Sequence, residues 1–397
     1  MTPPPSSLLL PPSLDDLRPG IAALPASPIA RIADYGRGRE GLIPLWFGEG
    51  DVPNPPIVGE TAARAIRDGH VFYTYQAGLP VLRQALAAYL GRIYGTDVAV
   101  ERITVTSSGM TAIMMAVQAL VDPGDEVVIV SPVWPNINAA VLVMGGHPVP
   151  VALDRNAVGW SLDLDRLFAA CGPRTRAIFI NSPNNPTGWV MGREDMARVM
   201  DFARARGLWV IADEVYGRLV YSEAVAAPSF LQVSGPDDRL IVVNSFSKNW
   251  AMTGWRLGWM VAPARLLPVL ENLVQYSTSG TPAFIQLAGV AALEHGEPFI
   301  AETRARCTAA RTRVFAALAR LPRVTATPAA GAFYAFFTVE GEPDSVALAR
   351  RVVDEAAVGL APGIAFGHAG EGALRLCYAT SLDRLDQALN RLETMLA

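Results

Sequence analysis

Short apolar runs rich in Val and Ile alternate with stretches of helical apolar spacing through the middle of the chain, beginning near Ile103. Several of these runs end in a polar or glycine-containing turn. Alternating strand and helix patterns are typical of a mostly parallel sheet with helical crossovers. The predicted strands lie at residues 103–106, 127–130, 148–153, 177–180, 208–216, 240–244 and 255–262.

The pattern changes after residue 262. Residues 263–295 are predicted to be mostly helical and to leave the sheet. The elements predicted after them are helices at 301–321 and 345–358, strands at 324–328, 331–339 and 374–378, and a last helix from Leu382. We therefore expect an α/β fold with two parts. One is a large domain with a mostly parallel central sheet flanked by helices, and the other is a smaller α+β domain.

The domain limits follow from these changes of pattern. Residues 1–13 are rich in Pro and Ser and lack the charged start and long apolar core of a signal peptide, which predicts a disordered leader. Residues 14–46 are interpreted as an N-terminal arm that belongs to the small domain. The large domain is expected at 47–286 and the C-terminal small domain at 287–397.

The bulk composition narrows the classes of function. A net charge of −4 without basic or acidic blocks argues against nucleic acid or an anionic membrane surface as a partner. No apolar run approaches the roughly twenty residues of a membrane span. Cys171, Cys307 and Cys377 are far apart and form no disulfide or zinc pattern, which fits the reducing cytoplasm. The four histidines are scattered, and no metal site is expected.

Lys248 is the only lysine, and the other 32 basic residues are arginine. An amine can be deprotonated and attack a carbonyl, whereas a guanidinium cannot form a Schiff base. The alternative to a functional role is that a single lysine survived in the sequence by chance. The flanking residues weigh against it, since Ser245 and Ser247 precede the lysine and Arg256 follows it. This set suits an aldehyde cofactor that carries a phosphate.

Polar residues follow several of the predicted strands. Ser108, Gly109 and Met110 lie between a strand and the start of a helix, where free N–H groups bind phosphate well, although a plain helix cap would look the same. Trp134 follows the next strand, and the polar turn that contains Asn185 follows another. Asp213 lies near the end of an apolar strand. Ligands of α/β sheets bind at this edge.

Together these motifs resemble the class I/II aminotransferases, which are fold-type I enzymes that depend on pyridoxal 5′-phosphate. The resemblance runs from about Pro28 to the C-terminus. It rests on six motifs in the family's order. They are Ser-Gly-Met at 108–110, Trp134, Asn-Pro-Thr-Gly at 185–188, Asp-Glu-Val-Tyr at 213–216, Ser-Phe-Ser-Lys at 245–248 with Arg256, and Gly-Ala-Leu-Arg-Leu at 372–376.

The resemblance implies a role for each motif residue. Lys248 would hold the cofactor as an internal aldimine and move the proton between substrate and cofactor, so burial and nearby cations should lower its pKa. Asp213 would pair with the pyridinium nitrogen, and Tyr216 and Asn185 would bind the phenolate oxygen. Trp134 would stack on the ring. The implied phosphate ligands are Ser108, Gly109, Met110, Ser245, Ser247 and Arg256.

The remaining implied roles concern the substrate and a second subunit. Arg375 would bind the substrate α-carboxylate, together with Asn185, and Gly50 would contact the substrate by its backbone. Tyr73 matches the tyrosine that reaches the phosphate in the partner subunit, which implies a homodimer. The implied reaction moves an amino group between an L-amino acid and a 2-oxo acid, through quinonoid and pyridoxamine phosphate intermediates.

Alternatives remain at the level of the reaction and the substrate. The same scaffold hosts C–S β-lyases that keep these motif residues, and it also occurs as the effector domain of transcription regulators. Residues 106–121 and 274–290 contain no cation for a distal carboxylate, and Arg31, Arg37 and Arg39 of the arm are interpreted as solvated. This favours a neutral or aromatic amino donor.

Overall fold

The computed structural model describes residues 17–156 and 159–397. The predicted leader at 1–13 and the first residues of the predicted arm lie outside the described residues. The strands are β1 (Ile43–Pro44), β2 (Ile103–Thr106), β3 (Glu126–Ser131), β4 (His147–Ala152), β5 (Asp154–Asn156), β6 (Gly159–Ser161), β7 (Thr175–Asn181), β8 (Trp209–Asp213), β9 (Leu240–Ser245), β10 (Gly258–Val261), β11 (Val324–Ala326), β12 (Tyr334–Val339), β13 (Val358–Gly359), β14 (Ala361–Pro362) and β15 (Ala373–Cys377).

The helices lie between and after these strands. They are α1 (Pro19–Ala22), α2 (Pro28–Gly36), α3 (Pro56–Arg67), α4 (Pro80–Tyr94), α5 (Gly109–Leu120), α6 (Asn136–Val143), α7 (Leu164–Ala169), α8 (Arg193–Arg206), α9 (Phe246–Asn249), α10 (Leu267–Ser277), α11 (Ala283–His295), α12 (Glu297–Leu318), α13 (Ser345–Ala356) and α14 (Leu382–Leu396). Short 3₁₀ turns occur at Val100–Arg102, Phe230–Gln232, Thr253–Trp255, Ala264–Leu266, Gly363–Phe366 and His368–Gly370.

The central sheet has seven strands in the order β2-β10-β9-β8-β7-β3-β4. Strand β10 is antiparallel to both its neighbours, and the other pairs are parallel. Every residue of β8 and β9 is buried, because helices cover both faces of the sheet. Helices α5, α6 and α10 share one apolar core with the sheet, and α3, α4, α8 and α11 share another. This architecture confirms the predicted mostly parallel sheet flanked by helices.

The smaller unit is built on an antiparallel sheet with the order β11-β12-β15-β14. Apolar residues of α12, α13 and α14 pack with this sheet in a separate core. Ile29, Ile32 and Trp46 of the arm belong to the same core, and β1 pairs in parallel with β13. The predicted α+β unit is thus confirmed, and the arm packs with it.

Three predicted strand boundaries are wrong by three residues, each for a local reason. The strand expected at 208–216 ends at Asp213, because a turn follows in which the Gly217 N–H donates to the Glu214 carbonyl at 2.9 Å. The strand expected at 255–262 starts at residue 258, after a 3₁₀ turn. The region expected to be mostly helical at 263–295 is confirmed, and Ser279 and Gly280, both at positive φ, separate its two helices α10 and α11. The strand expected at 331–339 starts at residue 334, after the left-handed Ala332.

The predicted limit between the domains at residue 286 falls within α11. Ala288, Val290 and Leu293 of this helix belong to a core of the large sheet. The domain limits themselves stay a prediction. Among the described residues, no helix combines the length and the apolar character that crossing a membrane requires.

Candidate active site

A cavity of about 370 Å³ lies at the carboxyl edge of the large sheet, where that edge faces the smaller unit. Strands β7, β8 and β9 all end at its wall, as expected for a ligand site in an α/β sheet. Eleven of the fourteen predicted site residues line it. They are Gly109, Met110, Trp134, Asn185, Asp213, Tyr216, Ser245, Ser247, Lys248, Arg256 and Arg375.

Lys248 lies on the short helix α9, directly after β9. The Ser245 hydroxyl caps this helix by accepting the Ser247 N–H at 3.1 Å, which fixes the turn that carries the lysine. The Lys248 Nζ donates to the Gly48 carbonyl at 2.6 Å. Burial lowers the pKa of Lys248 to about 8, and Arg375 and Arg256 add to this effect, although Cys377 and Glu49 oppose it. The predicted lowering of this pKa by burial and cations is therefore confirmed.

Asp213 is the last residue of β8 and is buried. Its Oδ1 accepts the Val215 N–H at 3.3 Å, and no other hydrogen bond reaches the carboxylate from the described residues. Burial raises the pKa of Asp213 to about 7, and the Val215 N–H and the charge of Lys248 only partly offset this effect. A buried carboxylate without a cationic partner is costly. The site therefore has room for a cationic group from a ligand.

Arg375 and Asn185 meet on the opposite wall. Arg375 Nη1 donates to Asn185 Oδ1 at 2.9 Å, and Nη2 donates to the Trp46 carbonyl. The guanidinium carbon also lies 4.5 Å from the centre of the Tyr334 ring and 4.9 Å from that of Phe366. Its Nε is buried and has no partner among the described residues. The cation is held in place without a protein carboxylate, which suits an anionic substrate group.

The Tyr216 hydroxyl lies 2.7 Å from that of Tyr334. Burial raises the pKa of Tyr216 well above its ordinary value, so the hydroxyl stays protonated. The backbone of Trp134 is held in place, because its N–H donates to the Asn185 carbonyl at 2.9 Å. These groups face one cavity with Lys248 and Asp213.

The remaining polar residues gather near the start of α5. Gly109 and Met110 form its first turn, whose free N–H groups attract anions. Arg256 is exposed and lies in the left-handed region at φ 53°. Its Nη1 donates to the Thr253 carbonyl at 2.6 Å, and it forms no ion pair with the described residues. This end of the cavity can hold a phosphate.

Three predicted site residues do not line the cavity. Ser108 lies just behind it and caps α5, accepting the Thr111 N–H at 3.0 Å. Gly50 lies in a smaller neighbouring cavity of about 50 Å³, beside Lys248. Tyr73 is 92% exposed and does not line the site of its own chain.

Sequence reasoning missed Gly48, Tyr334, Asn181 and Trp46, which all contribute to the cavity wall. Gly48 stands two residues before Gly50, and the two glycines of this turn look alike in the sequence. The signal for Asn181 was its place at the end of β7, directly in the predicted turn. Its Oδ1 accepts the Asn185 N–H at 2.8 Å and so shapes that turn.

The residues present fit pyridoxal 5′-phosphate, the cofactor that the resemblance implies. The cavity offers an amine with a lowered pKa at Lys248 and a buried carboxylate without a cationic partner at Asp213. It also offers an unpaired guanidinium at Arg256, next to a helix N-terminus. The amine matches the aldehyde of the cofactor, and the carboxylate matches its protonated ring nitrogen. The guanidinium and the helix N-terminus match its phosphate.

Comparison with known proteins agrees with this fit. The family model for aminotransferase class I and II matches residues 43–392. Aspartate aminotransferase of Pyrococcus horikoshii is 33% identical over 373 residues, which cover 93% of this chain and 94% of the relative. Aromatic-amino-acid aminotransferase 2 of Thermococcus litoralis is 34% identical over 375 residues, covering 93% and 95%.

A solved structure gives the same answer. A mutant aspartate aminotransferase of Thermus thermophilus superposes with a TM-score of 0.90 at 33% identity, covering 96% of this chain and 99% of that chain. The relatives named here are all aminotransferases, and none of these names supports the C–S lyase alternative. The chain belongs to the class I and II aminotransferases, the pyridoxal 5′-phosphate-dependent enzymes that move an amino group between an amino acid and a 2-oxo acid.

Proposed function

We propose that this aminotransferase takes its amino group from a neutral L-amino acid with an aromatic or large apolar side chain. The observation that carries the proposal is the set of charges in the cavity. Among the described residues that line it, the cations are Lys248, Arg256 and Arg375. One supplies the amine, one faces the phosphate and one binds the α-carboxylate, which leaves none for a second carboxylate.

The rest of the wall supports the same substrate class. Ile29, Phe47, Met110 and Ile113 line the cavity with apolar surface. A distal carboxylate held there would lose water without gaining a cation, and such burial is strongly unfavourable. An aromatic or aliphatic side chain would instead gain about 25 cal/mol for each Å² of apolar surface removed from water.

The arginines of the arm have other partners or lie elsewhere. Arg37 pairs with Asp34, and Arg39 pairs with Asp354. Arg31 is exposed and does not line the cavity. The interpretation of these cations as surface residues therefore supports the proposal, and so does the similarity to the aromatic-amino-acid aminotransferase of Thermococcus litoralis. The name of the Pyrococcus horikoshii relative points instead to aspartate as the substrate. The charges of this cavity favour an aromatic substrate over aspartate.

We further propose the roles of the site residues. Pyridoxal 5′-phosphate supplies an aldehyde that condenses with amines and a ring that withdraws electrons from the substrate Cα. Lys248 would hold the aldehyde end of the cofactor and, as a free amine, would take and return the proton of the substrate Cα. Asp213 keeps the ring nitrogen protonated by its charge. Arg375 and Asn185 orient the substrate carboxylate, which makes the proton transfer effectively unimolecular.

The remaining site residues are assigned to the ring of the cofactor, to its phosphate and to the substrate. Tyr216 and Asn185 face the phenolate oxygen, and Trp134 faces the ring. The first turn of α5, the serines at 245 and 247, and Arg256 hold the phosphate. Ser108 contributes by capping α5. Gly48, in place of Gly50, presents its backbone to the substrate, since it lines the cavity.

The proposed enzyme is a homodimer in which Tyr73 serves the partner's site. Phe72, Tyr73 and Tyr276 are 80%, 92% and 82% exposed, and an exposed aromatic patch of this kind is typical of a protein interface. Two hydrogen bonds between neutral groups join the segments that carry these aromatic residues. Thr74 donates to the Thr281 carbonyl at 3.1 Å, and Gln76 donates to Gln275 at 2.6 Å.

A cytoplasmic location also belongs to the proposal, and the three buried free thiols support a reducing compartment.

Single-turnover spectroscopy tests the substrate class. The cofactor-loaded protein is mixed with phenylalanine, methionine, alanine, glutamate or aspartate, and the loss of the visible absorbance is followed. We expect phenylalanine and methionine to react at least about tenfold faster than aspartate. Alanine is the matched control, because it has the α-carboxylate but almost no side chain. Aspartate as the fastest donor would show the substrate class to be wrong without affecting the family assignment.

A further inference from the structure

Tyr334 is the first residue of β12 and is fully buried at the cavity wall. In the antiparallel pairing of β12 with β15, Tyr334 lies opposite Cys377, and Phe336 lies opposite Arg375. Directly paired residues project from the same face of a sheet, so the side chains of Tyr334 and Arg375 stand diagonally beside each other. The tyrosine thus lies between the cofactor side and the substrate side of the cavity.

The hydroxyl of Tyr334 contacts Tyr216. The two oxygens are 2.7 Å apart, and either can be the donor. Neither hydroxyl has another hydrogen-bond partner among the described residues. Each phenol carries one proton, so a bond donated by Tyr334 leaves the proton of Tyr216 free to point into the cavity.

The ring of Tyr334 contacts Arg375. The guanidinium carbon is 4.5 Å from the ring centre, within the range of a cation–π interaction. No carboxylate of the described residues pairs with this arginine, so the ring is one of the few groups that fix its position. Removing the ring would free the guanidinium to move.

A third contact joins Tyr334 to the lysine side. A Cβ added to Gly48 would lie 2.0 Å from the Tyr334 hydroxyl oxygen, which only glycine avoids. The same glycine accepts the Lys248 Nζ through its carbonyl. The side chain of Tyr334 therefore contacts Tyr216 and Arg375 directly. It also packs against Gly48, whose carbonyl accepts the hydrogen bond from Lys248.

We propose that Tyr334 is a positioning residue for both halves of the site. Its hydroxyl orients Tyr216 so that Tyr216 donates to the cofactor, and its ring holds Arg375 in place for the substrate carboxylate. This inference rests on the roles proposed above for Tyr216 and Arg375. The hydroxyl is assigned to the contact with Tyr216 and the ring to the contact with Arg375, so two substitutions can test the two roles separately.

The test uses the cofactor-loaded protein with Tyr334→Phe and Tyr334→Leu. The first readout is the pH midpoint of the visible absorbance, measured with no substrate present. The second is the dissociation constant of 3-phenylpropionate, a carboxylate that has no amino group and cannot react. Tyr221→Phe is the matched control. Tyr221 belongs to a second buried pair, in which the Tyr378 hydroxyl donates to that of Tyr221 at 2.9 Å, and it does not line the cavity.

Tyr334→Phe should raise the absorbance midpoint by about half a pH unit or more, because a donor to an anionic oxygen favours the deprotonated form. It should change the dissociation constant by less than about twofold, because the ring remains. Tyr334→Leu should raise the dissociation constant about tenfold or more. Tyr221→Phe should change neither quantity.

An unchanged midpoint in Tyr334→Phe would overturn the role of the hydroxyl. An unchanged dissociation constant in Tyr334→Leu would overturn the role of the ring. If Tyr334→Leu fails to fold, Tyr334→Phe still decides the first half, and Tyr334→Met, another side chain without a ring, decides the second, since an unchanged dissociation constant would again overturn the role of the ring. A wild-type protein without visible absorbance would instead show the proposed role of Lys248 to be wrong, and the absorbance midpoint does not depend on which amino acid is the donor.

Discussion

Arg375 and Asn185 bind each other across the two units of the protein, with 2.9 Å between Nη1 and Oδ1. Arg375 belongs to β15 of the small sheet, and Asn185 belongs to the turn after β7 of the large sheet. Both side chains are buried. The cation proposed to bind the substrate carboxylate is therefore fixed before a substrate arrives, which would reduce the ordering that binding requires.

This contact gives the first prediction. Asn185→Ala removes the acceptor and leaves a buried guanidinium nitrogen unpaired, at a cost of about 1–3 kcal/mol. We expect kcat/KM to fall about 10- to 100-fold, mainly through a higher KM, in steady-state assays with the best donor. Asn390→Ala is the control, since this asparagine lies on an exposed position of α14. A fall in kcat alone, at constant KM, would contradict the positioning role.

Lys248 gives the second prediction. Lys248→Ala and Lys248→Arg should both lose turnover by about four or more orders of magnitude, because neither side chain can bind an aldehyde and then move a proton. Both variants should still bind the cofactor through the phosphate end of the site. Borohydride reduction followed by mass spectrometry should attach the cofactor to the wild-type chain and to neither variant. Turnover of Lys248→Arg near the wild-type rate would rule out this lysine as the reacting amine.

The carboxylate of Asp213 gives a prediction about stability and pH. Its pKa in the folded, cofactor-free protein is about 7, above the ordinary value of 3.8, so the folded state holds a proton that the unfolded state has lost. Stability therefore falls as pH rises from about 4 to about 7. Glu214 has the same tendency, with a pKa raised to about 7 mainly by burial.

Asp213→Asn removes this contribution. The variant without cofactor should be more stable than the wild type at pH 8, by on the order of 2–4 kcal/mol, and the two should converge near pH 4. Urea denaturation at pH 4, 6 and 8 measures the difference. Cofactor should weaken the same pH dependence in the wild type, because the ring nitrogen then compensates the charge. Equal stability of the two proteins at pH 8 would refute the raised pKa.

Arg256 gives a prediction about cofactor retention. Its backbone is left-handed, at φ 53°, a conformation that asparagine tolerates better than most residues. Arg256→Asn therefore removes the guanidinium with little backbone strain. We expect the dissociation constant of the cofactor to rise about 10- to 100-fold, measured by equilibrium dialysis. Arg265→Asn, at an exposed arginine outside the cavity, should leave it unchanged.

Mixed dimers test the proposed role of Tyr73. In a dimer of one Lys248→Ala chain and one Tyr73→Ala chain, one site combines an intact lysine with an intact tyrosine from the other chain. Co-expression with two affinity tags isolates this hybrid, and it should regain about half of the wild-type activity, while each parent stays low. A hybrid no more active than Tyr73→Ala alone would place the tyrosine outside the partner's site.

Much of the site could be predicted from the sequence because its motifs are local. Asp213 and Lys248 stand at the ends of strands, and each is positioned by the strand it follows and the turn after it. The edge of a parallel sheet then brings such strand ends together, whatever the details of packing. Residues fixed in this way can be identified without knowing the fold in detail.

Residues positioned by distant packing could not be found in the same way. Tyr334 meets Tyr216 across 118 positions of sequence, and nothing near Tyr334 in the chain marks it. The distinction between Gly48 and Gly50 likewise depends on which of them approaches the tyrosine. The end of β8 and the start of β10 were placed wrongly because a turn follows the first strand and a 3₁₀ turn precedes the second.

The cavity wall is drawn from two separate cores, with Lys248 and Asp213 attached to the large sheet and Arg375 and Tyr334 attached to the small one. The amine and the carboxylate-binding guanidinium are therefore attached to different cores, and Tyr334 and Asn185 make the contacts that join the two sides. Laboratory evolution of a new substrate range would do best with libraries confined to the smaller unit that leave Tyr334 unchanged, so that altered packing moves Arg375 while the surroundings of the amine stay intact.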